Sequence, residues 1–296
     1  MSYRPLRFLS GLPHHVDRMN RGGHPIYLDY PVSPAARYGW GRPMHCGLTD
    51  LLERNRARYA ALIERLAECG AGLGAIPVLA ASAGTPYWQN GYLQDLDAAM
   101  AYAIPKLFGS RRYVEIGSGN STKFVRQSVA DHSLDLHIVS IDPSPRSEID
   151  ELCDAIQRVG LEDAPLEIFR TLEANDVLFI DGSHRCFQNS DVTVVFMEIL
   201  PYLEPGVLVY FDDVFLPADY PPEWSRRHYS EQYLLAVLLL TDQERRYEVL
   251  FPASFSFMDE ALRSITDRFW ADLGIPGFTR TAPNGFWLRV KRCGSA

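Results

Sequence analysis

No apolar stretch in this chain approaches the ~20 residues that cross a bilayer. The longest, Tyr233 to Leu240, is expected to be a buried helix. The opening residues, MSYRPLRFLSGLPHH, contain neither an apolar core of signal-peptide length nor a small-residue cleavage pattern, so export is not expected. Cysteine is scarce and unpaired in pattern. Cys46, Cys69, Cys153, Cys186 and Cys293 are odd in number and show no close spacing of the zinc-binding or redox kind, which implies a reducing, cytoplasmic setting. Positive charge is in deficit, with 29 Lys and Arg against 37 Asp and Glu and a net charge of −8. That balance disfavours nucleic acid and anionic membranes as partners and leaves a small molecule. Internal repeats and low-complexity tracts are missing as well, and 47% hydrophobic with 22% charged residues describes an ordinary folded chain.

Within that frame, residues 1 to 47 hold no sustained period and read as irregular structure. Leu51, Leu52, Tyr59, Leu62, Ile63 and Leu66 then recur at helical spacing, which predicts an amphipathic helix from Thr49 to about Cys69. Thr49 or Asp50 would cap it, and Gly70, Gly72 and Gly74 would end it. A second helix is expected over Gln94 to Ala103, stopped by Pro105.

Beyond it, short β-branched runs alternate with helical ones, the pattern of an α/β fold with a parallel sheet. Strands are expected at Tyr113–Ile116, His137–Ile141, Leu166–Phe169, Val177–Ile180 and Val207–Phe211, then at Tyr247–Phe251 and Phe286–Val290. Helices are expected at 121–130, 147–159 and 190–203. The Gly, Ala, Ser and Pro residues between about 70 and 86 suggest a boundary, with an N-terminal extension over 1–85 and the α/β domain over 86–296. The extension would cover part of the cleft or of a partner subunit, and a homo-oligomer stays open.

One turn in this series carries chemistry. In Val114-Glu115-Ile116-Gly117-Ser118-Gly119-Asn120, a Gly-x-Gly turn joins a strand directly to a helix. Glycines let the backbone turn sharply and let a ligand come close, and the free N–H groups of the helix start favour an anionic group such as a carboxylate. Replacing Gly117 by a bulky residue is therefore expected to abolish cofactor binding in a folded protein. About 25 residues on, Asp142 ends the next strand, where a carboxylate accepts both hydroxyls of a ribose. Together they mark a nucleoside cofactor. A nicotinamide fingerprint would place a third glycine where Thr122 stands. The only Tyr-x-x-x-Lys, Tyr102 to Lys106, precedes the glycine turn and contains Pro105, which counts against a short-chain dehydrogenase.

Glu115-Ile-Gly-Ser-Gly resembles the first motif of class I S-adenosylmethionine-dependent methyltransferases, with Asp142 in the ribose position. Asp176-Val-Leu-Phe-Ile-Asp181-Gly-Ser-His184 and Leu203-Glu-Pro-Gly-Val-Leu-Val-Tyr-Phe-Asp212-Asp213 resemble strands four and five of the catechol O-methyltransferase-like branch, and bacterial small-molecule methyltransferases in particular. The resemblance spans about residues 86–296 and implies a Rossmann-like methyltransferase fold, a mostly parallel seven-stranded sheet flanked by helices. It implies S-adenosylmethionine bound by Glu115, Gly117, Ser118, Gly119, Asp142 and Asp181. Ser121 replaces the frequent third glycine of that motif.

Asp181 ends one expected strand, and Asp212 and Asp213 end another. Parallel sheets gather ligands at those ends, and three carboxylates there would repel unless a cation intervened. Oxygen ligands suit Mg²⁺. The resemblance likewise places a divalent metal at Asp181, Asp212 and Asp213, the last commonly Asn in that branch. It sets His184 where catechol methyltransferases carry a lysine thought to act as general base, with Asp181 beside it, and histidine suits that task at neutral pH. The expected reaction is metal-assisted O-methylation of a small-molecule hydroxyl. Metal-independent N- or O-methylation with the same cofactor, a nicotinamide oxidoreductase and a non-catalytic ligand-binding module are the alternatives. The bland readings are a loop-capping His184, an Asp181 that only orients cofactor and an Asp212 that only caps a turn. The run from Asp219 to Trp224, followed by Arg226, Arg227, His228 and Tyr229, forms either a substrate wall or a stiff surface loop. Trp88 and Tyr92 share that ambiguity. His14, His15, His24 and His45 lack metal spacing.

Overall fold

The structure is a computed structural model that describes residue 29 and residues 31–145 and 149–292. Most of the irregular structure expected for residues 1–47 lies outside them, as do His14, His15, His24 and Cys293. Contacts divide the chain into Met1–Ala35 and Ala36–Ala296. In the first unit, residues 31–35 are irregular and exposed. In the second, the helices between residues 46 and 75 share one compact body with the sheet.

Seven strands form that sheet: β1 Arg112–Ile116, β2 His137–Ile141, β3 Ala155–Gln157, β4 Val177–Ile180, β5 Leu208–Phe211, β6 Tyr247–Pro252 and β7 Phe286–Val290. Their order is β3-β2-β1-β4-β5-β7-β6. All pairs are parallel except those of β7, which runs antiparallel to β5 and β6. This is the seven-stranded, mostly parallel architecture implied by the resemblance. β4 and β5 are apolar throughout and fully buried, as strands covered on both faces must be. Phe179 stacks on Tyr210 at 4.0 Å between ring centres, with Trp287 alongside at 4.9 Å from Tyr210.

Strand order reverses at β1 and β4. β1 leads away to β2 and β3, and β4 leads the other way to β5, so a crevice opens beyond their carboxyl ends. The register pairs Ile116 with Ile180, and the Asp181 N–H donates to the Ile116 carbonyl at 2.8 Å. The glycine turn and Asp181 therefore emerge side by side.

Several expectations need correction. The third strand is Ala155–Gln157, while Leu166–Phe169 falls on a short helix, Glu167–Arg170. An edge strand of three residues has no run of apolar side chains to announce it, and its central Ile156 is exposed. The helix expected at 147–159 reduces to a single turn, Asp150–Leu152, with residues 146–148 not described. The helix over 49–69 is two, Cys46–Glu53 and Arg56–Arg65, because Asn55 breaks the ladder and donates to Glu244 at 2.8 Å. Its cap is the Nδ1 of His45, which accepts the Leu48 N–H, and not Thr49 or Asp50. The glycines do not end it, since Gly70–Ala75 is helical. The predicted apolar face, from Leu51 to Leu66, is buried throughout.

Pro105 does not stop the next helix. Asp95–Phe108 continues past it to Gly109, whose left-handed conformation (φ 69°) closes the helix. In the segment 190–203, regular α-helix covers Asp191–Val194 only, and a wider turn at Val195–Ile199 and a tight one at Leu200–Tyr202 absorb Pro201, which has no N–H to continue the ladder. The apolar run from Tyr233 lies on Glu231–Asp242 with one face buried and Tyr233 and Val237 exposed. No helix among the described residues is long and apolar enough to cross a membrane.

Candidate active site

At the end of β1 the chain turns through Gly117 with a left-handed φ of 76°. A Cβ there would lie 1.8 Å from the Asp181 carbonyl oxygen. The neighbouring strand, before any ligand, thus requires this glycine. Gly119 differs, because a Cβ on it would meet no protein atom within 4 Å. The helix Asn120–His132 begins immediately after.

Glu115 is fully buried beneath the turn and accepts from the hydroxyls of Ser121 and Thr122. Burial pushes its carboxyl up to about 7, against the pull of those two hydrogen bonds. It braces the strand to the helix and does not reach the cavity beyond the turn. Ser121, in place of a third glycine, is one of its three hydroxyl partners, the Tyr113 hydroxyl at 3.3 Å being the third. The Ser118 N–H donates to Asp142 Oδ2 at 2.8 Å and the Ser144 N–H to Oδ1 at 2.7 Å, so Asp142 ties the glycine turn to the end of β2.

Beyond these groups opens a cavity of about 540 Å³, lined by Gly117, Asp142, Leu161, Asp181 and Phe187 among others. That volume is in the range of small-ligand and cofactor sites. The loop after β4 shapes its other wall. The Ser183 N–H donates to Asp191 at 2.6 Å, and a Cβ on Gly182 would lie 2.2 Å from the same carboxylate. A second open cavity, about 590 Å³, lies between the helices Arg56–Arg65 and Glu260–Leu273 and contains none of the candidate residues.

Asp181 belongs both to the cofactor cavity and to a cluster of acids. Its Oδ1 lies 3.3 Å from His184 Nε2, and Asp213 Oδ2 lies 3.5 Å from the same nitrogen. His184 Nδ1 is 2.9 Å from Glu231 Oε2. Burial disfavours the charged imidazole. The hydrogen bonds to Asp181 and Glu231 and the charges of Glu231 and Asp213 overcome this and hold its pKa well above 6.5. The Tyr229 ring covers the imidazole, with centres 4.7 Å apart. His184 (φ 58°) and Asp213 (φ 55°) are both left-handed, a conformation non-glycine residues adopt at a cost and often at functional sites.

Asp212 is buried, with the Tyr210 hydroxyl donating to it at 2.6 Å. Burial first, then the charges of Asp181, Asp213 and Asp97, push its carboxyl well above the ordinary range. Asp213 is raised by burial and by Asp181, with His184 and Arg227 pulling the other way. The three aspartates thus sense one another across the ends of β4 and β5. Among the described residues, no group of three or more His, Cys, Asp and Glu side chains is arranged as ligands around an ion.

Spacing in the sequence pointed to none of Glu231, Asn284 or Asp97. Asn284 donates to Asp213 Oδ1 at 2.8 Å, and its carbonyl accepts the Val214 N–H at 2.6 Å. Asp97 in turn accepts the Asn284 N–H at 2.8 Å and the Gly285 N–H at 3.1 Å. Trp88 is a core residue packed on Phe124 and Trp270, and Tyr92 is exposed. The aromatics of the loop after β5 turn inward, Tyr220 against Phe215 and Tyr229.

Residues 114–214, from β1 through the Asp212-Asp213 corner, match the family described as Methyltransferase domain. That stretch is a methyltransferase domain, set in a seven-stranded sheet of order β3-β2-β1-β4-β5-β7-β6. The chain is also similar, at low identity, to several solved structures. An apo structure of CmcI-N160 is 14% identical, covering 99% of this chain and 97% of that one with a TM-score of 0.42. The O-methyltransferase from Bacillus cereus, in complex with SAH, is 16% identical over 84% and 92%, TM-score 0.33. TomG from Streptomyces achromogenes, an O-methyltransferase involved in tomaymycin synthesis and in complex with SAM, is 18% identical over 68% and 82%, TM-score 0.33. No curated protein matches the sequence.

Proposed function

We propose that this methyltransferase transfers the methyl group of S-adenosylmethionine to a hydroxyl oxygen of a small molecule, with a divalent cation held by Asp181, Asp212 and Asp213. The observation that carries this reading is the double position of Asp181, on the cofactor cavity and in the acid cluster at once. The donor atoms are of the kind a hard ion takes, although the three side chains are not arranged around one point and would have to turn to share it. All three are carboxylates, oxygens of Asp181 and Asp213 both face His184 Nε2, and Asp212 carries the repulsion of its neighbours.

In the transfer, the acceptor oxygen forms a bond to the methyl carbon as the sulfonium S–C bond breaks, and the hydroxyl proton must leave. A cation held there would supply Lewis acidity to the hydroxyl. His184, oriented through Nδ1 by Glu231, would take the proton at Nε2 in its neutral form, which requires that the charge of the carboxylates around it be offset. Asp142 and the glycine turn hold the nucleoside end, and Tyr229 screens the imidazole from water.

One observation favours a second reading, a metal-independent methyltransferase of oxygen or nitrogen. Asp181 and Asp213 already share the charge of His184, which can replace an ion between them. Mn²⁺ binding to the SAH-loaded protein, followed by electron paramagnetic resonance, separates the two. The metal reading expects a site that Asp181→Ala and Asp212→Ala each remove and His184→Ala keeps. It also expects EDTA to abolish transfer to an acceptor found by screening hydroxylated compounds, and undiminished transfer in EDTA would overturn it.

A further inference from the structure

The chain's excess of acids takes up many of its arginines. Arg58 pairs with Glu248 at 2.7 Å, Arg56 with Asp259 at 2.8 Å and Arg126 with Asp154 at 2.8 Å. Two arginines beside the acid cluster make no such pair among the described residues. Arg185 spends its Nε on the Arg227 carbonyl at 2.9 Å and its Nη1 on the Ser183 carbonyl at 3.0 Å. Arg227 has one long contact, Nη1 to the Tyr229 hydroxyl at 3.4 Å.

Both guanidinium groups are nonetheless held in place. That of Arg227 lies 3.7 Å from the centre of the Trp224 ring and 5.4 Å from that of Tyr229, and that of Arg185 lies 4.8 Å from the Tyr229 ring. Tyr229 is the ring that covers His184. The charge of Arg227 also reaches Asp213. Stacked on aromatic faces, the Arg227 guanidinium keeps most of its edge N–H groups, and Arg185 its Nη2, for a carboxylate.

We infer that Arg185 and Arg227 form an anion subsite at the acceptor entrance, and that the methyl acceptor carries a carboxylate besides its reacting hydroxyl. The inference rests on the acceptor side assigned above to His184 and Asp213. A monoanion is favoured over a phosphate dianion because Asp181, Asp213 and Glu231 surround the neighbouring His184, and their repulsion doubles with the ligand's charge.

Two phenols that differ only in the carboxylate test this, catechol and 3,4-dihydroxybenzoate, titrated calorimetrically into the full chain saturated with SAH. The acid is expected to bind about 10-fold more tightly, with the advantage shrinking as NaCl is raised. In the double variant Arg185→Gln with Arg227→Gln, the acid is expected to fall to the level of catechol. An unchanged SAH dissociation constant there serves as the folding control. Equal binding of the two phenols by the unaltered protein, failure of both to bind, or a preference that survives the double variant would each overturn the subsite. If the preference holds but the bound acid is not methylated with S-adenosylmethionine and Mg²⁺, the O-methylation reading fails and the subsite stands.

Discussion

The two sides of this site are built over different ranges of chain. On the cofactor side, Glu115, the glycine turn and the hydroxyls of Ser121 and Thr122 lie within one strand, turn and helix start, and Asp142 joins from the next strand. On the acceptor side, His184 depends on Glu231, 47 residues away, Asp213 on Asn284, 71 away, and Asn284 on Asp97, 187 away. A local site is fixed once its unit forms, whereas a long-range one waits for the sheet, the loop after β5 and the approach to β7 to meet.

The largest effect that would break this comparison lies at the glycine turn. Gly117→Val is expected to prevent folding, because its Cβ strikes the Asp181 backbone and its φ is left-handed. Gly119→Val is expected to fold, with an unaltered circular dichroism spectrum, yet to lose SAH binding in calorimetry. This corrects the expectation that bulk at Gly117 only blocks the ligand. A folded, soluble Gly117→Val protein would show that the strand contact can relax.

Next in size is a paired test of the two sides. Asp142→Ala is expected to weaken SAH by about 1.5–3 kcal/mol, roughly 10- to 150-fold, through loss of a charge-assisted acceptor. It should leave Mn²⁺ binding alone. Asn284→Ala should do the reverse, weakening Mn²⁺ about 10-fold by freeing Asp213 while SAH affinity holds, as groups that orient metal ligands commonly do. Equal effects of both variants on both ligands would mean that the two sides are one cooperative unit.

A last effect is one of pH on stability. Burial raises Glu115 to about 7 from the usual 4.5, and Asp97 to about 7 from 3.8, so folding favours their protonated forms. Their contribution is fully present below the unfolded values and is lost as pH rises toward 7. Urea unfolding should therefore show this contribution declining from about pH 4.5 to about 7. Glu115→Gln should flatten part of that decline, and an identical slope in the variant would mean that Glu115 is ionised throughout.

What could be read in the sequence follows the same division. β2, β4 and β7 were expected at their observed bounds because each is a short apolar run between turn residues. The third strand and the long helix at 190–203 were misplaced because Ala155–Gln157 is an exposed edge and Pro201 redirects the ladder. Asp181, Asp212 and Asp213 were legible as the residues that follow strands, a position that itself directs them to the crevice. The placement of His184 between carboxylates was not legible, and neither were Glu231, Asn284, Asp97 and the arginines over Tyr229.

The sequence by itself determined the alternation of strand and helix, the turn that must be glycine and the acids that end β2, β4 and β5, because period, turn chemistry and strand ends are local properties. Only the tertiary structure decided that Glu115 faces inward as a brace, that Gly117 is demanded by Asp181, and that His184 meets Asp181, Asp213 and Glu231 together. Those outcomes depend on the parallel register of β1 with β4 and on the loop after β5 folding back over the sheet, and contacts between distant parts of the chain leave no period in the sequence.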